Sequence, residues 1–275
     1  MSTKLDEIID DLQAEQADLE GVLAGMTAED WDKPSHSPGW SARDQVSHLA
    51  YFDEAAARAI TDHEAFTAEV REAMQAPAGM EARYLERGRG MAPAGVLEWW
   101  RTASSDLIRA ARTLDSDARV PWYGPAMSAA SFITARLMET WSHGLDVVDT
   151  VGADRPDTDR LRHVAYLGVR TRAYSYNVRG KEQPPAPVRV ELTAPSGDTW
   201  VFGEENATDV IRGTATDFCR LVTQRRHLSD TNLEIHGPAA TEWMEIAQAF
   251  AGPPGQGRRP GEFSAPARRG GEKRS

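Results

Sequence analysis

Glu139 and His143 are the pair of residues whose types and spacing point most directly to chemistry. They lie four positions apart, so in a helix both side chains leave the same face, one turn from each other. A carboxylate and an imidazole placed this way can share one divalent cation. The same spacing also occurs in ordinary surface pairs, so the prediction of a metal site depends on a third ligand.

His48 supplies a third candidate ligand. It lies among apolar positions, including Val46 and Leu49, that are predicted to face a core. A histidine on such a face can simply be a hydrogen-bonded core residue. In a helical bundle, however, two helices can present side chains to the same end of the core. His48, Glu139 and His143 would then form a set of two histidines and one glutamate, which leaves a coordination position open for water or substrate.

The element that carries His48 has a clear predicted start. Ser41 and Asp44 match a capping box, in which each side chain accepts a hydrogen bond from the backbone of the other residue. This predicts a helix over residues 41–60 with His48 two turns in. Asp44 could also orient His48 as an outer-shell acceptor, although the capping role is the simpler interpretation.

The other helices follow from apolar residues spaced three and four apart. Predicted helices cover residues 5–26, 93–114, 128–151 and 158–177, while residues 64–91 are charged and only partly helical because of Pro77 and Gly79. Glu139 and His143 fall on the helix over 128–151. Long helices joined by loops indicate an α-helical up-down four-helix bundle over residues 1–178.

The pattern changes after residue 178. Apolar and polar residues alternate over 188–192, which predicts a strand, and Pro195-Ser196-Gly197-Asp198 predicts the turn of a hairpin. Two further short strands and two helices complete a small α+β domain over residues 187–252. Residues 253–275 are predicted to be a disordered basic tail.

Composition narrows the class of protein. The chain has 275 residues, about two domains' worth, with 31 Lys and Arg against 42 Asp and Glu, a net charge of -11. Residues 256–275 carry a net charge of +4, which leaves the rest at -15. Such an acidic body disfavours nucleic-acid binding. The polar N-terminus and the lack of a long apolar run predict a cytoplasmic protein that contacts no membrane.

Two motifs carry a resemblance to a known family. The string SPGWSARDQVSHL from Ser37 to Leu49 resembles the opening motif of the mycothiol-dependent maleylpyruvate isomerase family, within the DinB-like metal-binding superfamily. The second signature of that family is a Glu-x-x-x-His, matched here by Glu139 and His143. The resemblance covers roughly residues 5–250, and it implies a DinB-like bundle followed by a small sterol-carrier-like domain.

The resemblance also implies a chemistry. A divalent metal, usually zinc, would be held by His48, Glu139 and His143 and would activate a low-molecular-weight thiol, here mycothiol. The thiol would then attack an electrophilic small molecule, giving isomerisation or S-transfer. Thiolate is the reactive form, and coordination to a dication favours it. The protein needs no cysteine of its own for this, so Cys219 is expected to be a buried core residue.

Further site residues are predicted with less support from spacing. In the family an arginine of the second domain faces the active site, which suggests Arg226 as catalytic and Arg225 as cofactor-binding. The alternative for both is an ordinary helix C-terminal cap. Trp40 is a predicted cofactor-binding residue. Together with Tyr51, Trp122 and Tyr123 it can line a pocket or simply pack.

Two other classes of function stay open at this point. A metal-dependent hydrolase would use bound water in place of the thiol. A non-catalytic module would bind a lipid or another small apolar ligand in the sterol-carrier-like domain. The metal could also be nickel, iron or manganese, because ligand affinity alone does not select it. The sequence identifies neither the substrate nor the oligomeric state.

Overall fold

The structure is a computed structural model that describes residues 4–75 and 77–263, without the side chains of 73–75, 77, 78 and 80. It divides into two compact units, Met1–Arg155 and Pro156–Ser275. The division therefore falls before the predicted boundary at residue 178. The helical segment after residue 155 belongs to the second unit, because its partners in the contact map are elements of that unit.

The first unit is helical apart from one two-stranded hairpin. Its elements are α1 (Lys4–Ala24), α2 (Ala42–Thr61), α3 (His63–Gln75), α4 (Pro77–Arg89), α5 (Pro93–Ala111), β1 (Arg119–Val120), β2 (Met127–Ser128) and α6 (Ala129–Val151). The segment expected to be broken by Pro77 and Gly79 forms two helices. Pro77 begins α4, a position where its missing N–H costs no hydrogen bond.

The long helices pack as their apolar stripes require. Helix α2 contacts α4, α5 and α6, and α1 contacts α5 and α6. Leu19, Val46, Leu49, Trp100 and Val147 are among the buried residues of this core. Because the partners of α2 include α6, the helix of His48 lies against the helix of Glu139 and His143.

A glycine next to His143 permits a close approach of α6 to its neighbours. A Cβ atom at Gly144 would lie 2.4 Å from the guanidinium of Arg155 and 3.3 Å from Leu19 of α1. Because Gly144 has no side chain, the Arg155 guanidinium fits beside it. This guanidinium donates a hydrogen bond of 2.9 Å to the carbonyl of Trp141 and lies 3.3 Å from Glu15. These contacts connect α1, α6 and the end of the first unit.

The second unit combines helices with a four-stranded sheet. Its elements are α7 (Leu161–Arg170), α8 (Arg172–Asn177), β3 (Val188–Thr193), β4 (Thr199–Phe202), β5 (Asp209–Thr214), α9 (Ala215–Val222), β6 (Glu234–His236) and α10 (Pro238–Ile246). The strand order is β4-β3-β5-β6. The β3–β4 and β5–β6 pairs are antiparallel, whereas β3 and β5 are parallel. The helix predicted over 158–177 is two helices, separated at Thr171.

The prediction of a disordered tail is wrong for its first part. Residues 253–263 form an irregular, largely exposed segment that is hydrogen-bonded to the second unit. The Gly255 amide donates to Gln248, and Asp230 accepts from the amides of Gly261 and Phe263. We call residues 253–263 the C-terminal segment. The predicted disorder of residues 264–275 lies outside the described residues.

Within the described ranges 4–75 and 77–263, none of the helices combines the length and apolar character needed to cross a membrane.

Candidate metal centre

Two helices with well-defined starts position the three candidate ligands. The predicted capping box of α2 is present, with reciprocal hydrogen bonds between Ser41 and Asp44. Helix α6 begins at the N-cap Ser128, whose hydroxyl accepts from the amide of Ser131. These caps fix where each helix begins and therefore which face each later residue occupies. His48 of α2 and the pair on α6 accordingly meet at the contact between the two helices.

The three candidate side chains converge. Oε2 of Glu139 lies 3.1 Å from Nε2 of His143 and 3.5 Å from Nε2 of His48. One ligand atom from each residue lies within 4.8 Å of the other two. Neighbouring ligands in a tetrahedral site with bonds of about 2.0–2.1 Å lie about 3.3 Å apart. The spacing of the donor atoms therefore suits a small divalent cation.

Gln45 sets the proton position on His143. The hydroxyl of Ser35 donates to the carbonyl of Trp40 over 2.9 Å, so it accepts from the amide nitrogen of Gln45 at 3.0 Å. The Gln45 oxygen consequently faces Nδ1 of His143, at 2.6 Å. Because a carbonyl oxygen only accepts, Nδ1 carries the proton and Nε2 keeps its lone pair. This lone pair points at a carboxylate, an arrangement that a shared cation satisfies.

His48 is also held in the neutral form, the form in which a histidine can bind a metal. Burial, together with the neighbouring His143, lowers the pKa of His48 to about 3, against the opposing effect of Glu139. The imidazole is therefore neutral at physiological pH. Its Nδ1 is buried, and among the described residues it has no hydrogen-bond partner. Among the described residues, His48 therefore has no hydrogen-bond partner equivalent to the one that Gln45 provides for His143.

Glu139 stays ionised beside the two rings. Burial by itself would raise the pKa of this carboxyl, but the neighbouring His143 and His48 hold it well below its ordinary value. Its side chain is 21% exposed, and those of His48 and His143 are 16% and 12% exposed. The three candidate ligands are thus mostly enclosed, and each keeps a small exposed fraction.

A buried ion pair joins the two ligand helices close to the site. The Arg136 guanidinium on α6 donates to Oδ1 of Asp53 on α2, with Nη2 at 2.8 Å and Nε at 3.2 Å. The Asp53 side chain is fully buried, and that of Arg136 is 4% exposed. Arg136 precedes Glu139 by three residues and Asp53 follows His48 by five. The pair therefore fixes the register of the helices that bring the ligands together.

Aromatic rings surround the ligand side chains. Trp40 stacks on His143 with ring centroids 6.1 Å apart and lies 5.5 Å from His48. Phe52 and Tyr84 lie 4.6 and 5.4 Å from His48. Trp40 also lines an open cavity of about 580 Å³. Trp40 thus lies beside the candidate ligands, and its predicted role in cofactor binding stays a prediction.

Asp44 takes the capping role of its two predicted roles. Besides closing the capping box, its carboxylate accepts from the Arg89 guanidinium at 3.0 and 2.9 Å. These contacts tie the start of α2 to the end of α4. The residue that hydrogen-bonds a candidate ligand is Gln45, which follows Asp44 in the chain and contacts Nδ1 of His143.

Arg225 and Arg226 lie in the second unit, after the end of α9. The Arg225 guanidinium donates to the carbonyl of Thr223 over 2.7 Å, the contact expected of a helix C-terminal cap. The Arg226 guanidinium lies 3.6 Å from the ring centroid of Phe263, in the C-terminal segment. Arg226 also lines a cavity of about 420 Å³ within this unit, together with Arg179 and Arg258. The catalytic and cofactor roles predicted for Arg226 and Arg225 stay predictions.

Several residues of the site escaped the sequence analysis. Gln45 lies three residues before His48, on the same helix face, and this spacing could have indicated it. Asp53 and Arg136 are charged residues at buried helical positions, which is a weaker signal. Tyr84 lies in the charged segment 64–91, where no sequence pattern indicated that it would approach the site.

The relatives of this chain decide its family. Residues 12–148 match the model of the mycothiol maleylpyruvate isomerase N-terminal domain. Two uncharacterized proteins, one from each of two Mycobacterium tuberculosis strains, are 45% identical over 248 residues, which is 90% of this chain and 96% of each relative. The chain belongs to the mycothiol-dependent maleylpyruvate isomerase family. The resemblance carried by residues 37–49 and by Glu139 and His143 is thereby confirmed.

Solved structures agree on the fold of this family member. The crystal structure of the mycothiol-dependent maleylpyruvate isomerase matches with a TM-score of 0.55 and 18% identity, over 82% of this chain and 93% of that chain. A histidine-to-alanine mutant of that enzyme matches with the same TM-score and coverage at 16% identity. At such identity the likeness establishes the fold of the chain, not its reaction.

Proposed function

We propose that this protein is a metal-dependent enzyme that uses a low-molecular-weight thiol, mycothiol, to attack an electrophilic small molecule. The convergence of His48, Glu139 and His143 carries the proposal, since two imidazole lone pairs and one carboxylate oxygen meet within 4.8 Å. Membership of a family named for mycothiol dependence supports the choice of thiol. Zinc is the proposed metal, because two nitrogen ligands and one oxygen ligand suit it.

The bound metal would supply Lewis acidity, which lowers the pKa of a thiol from about 8.5 and favours the thiolate at neutral pH. The protein supplies the rest. Gln45 keeps Nε2 of His143 unprotonated, and the Arg136–Asp53 pair holds the ligand helices in register. Trp40 covers one side of His143 and restricts water there.

The reaction proposed is isomerisation or S-transfer. In isomerisation the sulfur adds to an activated double bond, the resulting single bond rotates, and loss of the same sulfur restores the double bond and regenerates the thiol. In S-transfer the new carbon–sulfur bond remains, and the thiol proton ends on the neighbouring carbon. Arg226 is the proposed partner for an anionic group, and Arg225 and Trp40 are proposed to bind the thiol cofactor.

For the fold, we propose that the first unit is an up-down helical bundle and that the second unit is sterol-carrier-like.

Metal analysis joined to a thiol screen tests this function. We expect about one equivalent of metal in the purified protein, and its loss in His48→Ala, Glu139→Gln and His143→Ala variants. His63→Ala is the matched control, since His63 is an exposed histidine of the same unit. Turnover of a panel of Michael acceptors, including maleylpyruvate, should require mycothiol rather than glutathione or bacillithiol. A protein without metal, or turnover that ignores every thiol, would overturn the proposal.

A further inference from the structure

One contiguous group of aromatic rings extends from the metal ligands. We call it the aromatic wall. It consists of Trp40, Tyr51, Phe52, Phe66, Tyr84, Trp122 and Tyr123. Phe52 is the link, because its ring lies 4.6 Å from His48 on one side and 5.7 Å from Tyr123 on the other. A molecule that reaches the ligands therefore meets flat apolar surfaces.

The outer part of the wall comes from a loop. Trp122 and Tyr123 lie in the connection between β1 and β2, and Trp122 stacks on Phe66 with centroids 5.5 Å apart and planes 9° from parallel. The Arg119 guanidinium donates to the carbonyl of Ala126 and closes this loop across its ends. The loop thus presents two large rings in a fixed position, next to ligands held by rigid helices. Binding loops on rigid scaffolds are where specificity is usually set.

Five of the seven rings of the wall are more exposed than the aromatic residues of the core, while Phe66 and Tyr84 are 0% and 5% exposed. Trp99 and Trp100 are 6% and 1% exposed. By contrast Trp40, Tyr51, Phe52, Trp122 and Tyr123 are all half-buried. Rings that only complete a core would lose this remaining exposure, so the wall keeps a surface that a ligand can cover.

Two arginines near the wall are paired with carboxylates, whereas the Arg119 guanidinium binds the carbonyl of Ala126. Arg58 pairs with Glu69, which also lies 3.5 Å from the hydroxyl of Tyr51. Arg136 pairs with Asp53, as described above. At the other end, Trp40 donates from Nε1 to Glu81 over 3.0 Å. A carboxylate-bearing ligand placed here would face carboxylates, whereas a neutral ring would lose little solvation.

We propose that the acceptor for the thiol is an electrophile with a flat aromatic body, bound against Phe52, Trp122 and Tyr123. This inference rests on the proposed thiol-dependent function and names its substrate class. The sulfur adds to the carbon β to the carbonyl, and the thiol proton ends on the α carbon, so a thioether forms without any oxidant. Ring-on-ring contact supplies the binding.

Two enones with the same reactive group provide the test. Benzalacetone carries a phenyl ring where β-acetylacrylate carries a carboxylate. With the zinc-loaded full chain and mycothiol, we expect kcat/KM to favour benzalacetone by about tenfold or more after subtraction of the uncatalysed rate. Equal values, or preference for β-acetylacrylate, would overturn the inference while leaving the thiol-dependent function intact.

Binding of unreactive analogues separates the two proposals. Benzylacetone and levulinate are the saturated counterparts, and calorimetry measures their binding without any thiol. Tighter binding of benzylacetone in a protein that turns over neither enone would sustain the aromatic site and reject the thiol chemistry. Tighter binding of levulinate would reject the aromatic site whatever the turnover.

Variants of Tyr123 assign the effect to the wall. Tyr123→Leu removes the ring and should raise KM for benzalacetone about three- to tenfold, with no change for β-acetylacrylate. Tyr123→Phe keeps the ring and should retain the wild-type KM. Tyr166→Leu is the matched control, since Tyr166 is 50% exposed and lies in the second unit. Equal KM values in Tyr123→Leu and wild type would contradict the placement of the substrate ring.

Discussion

Nδ1 of His143 donates a hydrogen bond to the carboxamide oxygen of Gln45 over 2.6 Å, across 98 residues of sequence. The two residues lie on different helices, α6 and α2. The bond fixes both the rotation of the ring and the position of its proton. An outer-shell acceptor of this kind increases the basicity of the nitrogen that binds metal.

Replacing Gln45 should weaken metal binding without unfolding the protein. We expect Gln45→Leu to lower zinc affinity about 10- to 100-fold, because the His143 ring loses its partner. Gln45→Glu keeps an acceptor and should retain wild-type affinity. Competition with a chromogenic chelator measures the change, and Gln13→Leu, at an exposed position of α1, is the control. Unchanged affinity in Gln45→Leu would show that the bond does not support the ligand.

Breaking the buried ion pair should cost far more stability than breaking an exposed one. Arg136→Met leaves Asp53 buried without its cation and should lower the free energy of unfolding by about 3 to 5 kcal/mol. The double variant with Asp53→Leu should recover much of that loss, because no charge then stays buried. Urea denaturation of the metal-free protein measures all three proteins.

An exposed pair serves as the control for that experiment. Arg83 and Glu72 lie 3.0 Å apart with side chains 48% and 70% exposed. Arg83→Met should cost less than about 1 kcal/mol, because solvent screens the pair. Equal losses in Arg83→Met and Arg136→Met would contradict the structural role assigned to the buried pair.

Asp230 should hold the C-terminal segment in place. Burial would raise the pKa of Asp230, but the amides of Gly261 and Phe263 donate to its carboxylate and lower the pKa below 3.8. Asp230→Asn should therefore speed tryptic cleavage after Arg258 at neutral pH. Asp198→Asn, in an exposed turn of the same unit, should leave the cleavage rate unchanged.

The pH dependence of this contact has a definite sign. A carboxyl group whose pKa is lower in the folded protein contributes stability above its unfolded pKa and loses it as pH falls through the folded pKa. Amide hydrogen exchange at Gly261 and Phe263 should thus stay slow at neutral pH and accelerate relative to the rest of the unit only below about pH 4. Acceleration already near pH 6 would rule out Asp230 as the cause.

Cys219 should play no part in the chemistry. Its thiol is fully buried, lies 3.5 Å from the carbonyl of Leu161, and has a pKa raised well above its ordinary value by burial. We expect the native protein to react with Ellman's reagent only after urea is added. Cys219→Ala should retain mycothiol-dependent turnover at the wild-type rate, and a large loss of kcat would contradict the use of an external thiol.

Local patterns explain what the sequence predicted correctly. The capping box of Ser41 and Asp44 depends on residues within one turn, so it places the start of α2 closely. The apolar spacing over 128–151 predicts α6. The spacing of Glu139 and His143 then puts both side chains on one face of α6. Alternation over 188–192 likewise predicts β3 and its hairpin with β4.

Contacts between distant residues explain what the sequence could not supply. Residues 161–177 have the same helical periodicity whichever unit they join, so their place in the second unit was missed. Nothing local distinguishes the parallel pairing of β3 with β5 from an antiparallel one. The composition of residues 253–263 favours disorder, but hydrogen bonds to Asp230 and Gln248 order this segment.

The sequence by itself determined the types of the candidate ligands, their spacing on two helices and the lack of a second cysteine. Only the tertiary structure decided that Gln45 orients His143, that Asp53 neutralises Arg136 and that Phe52 links the ligands to Trp122 and Tyr123. The reason is physical. Caps and helix faces are set by hydrogen bonds and side-chain neighbours within a few residues. The partners of a buried polar or aromatic group are set by which helices pack together, and that choice leaves no periodic trace in the chain.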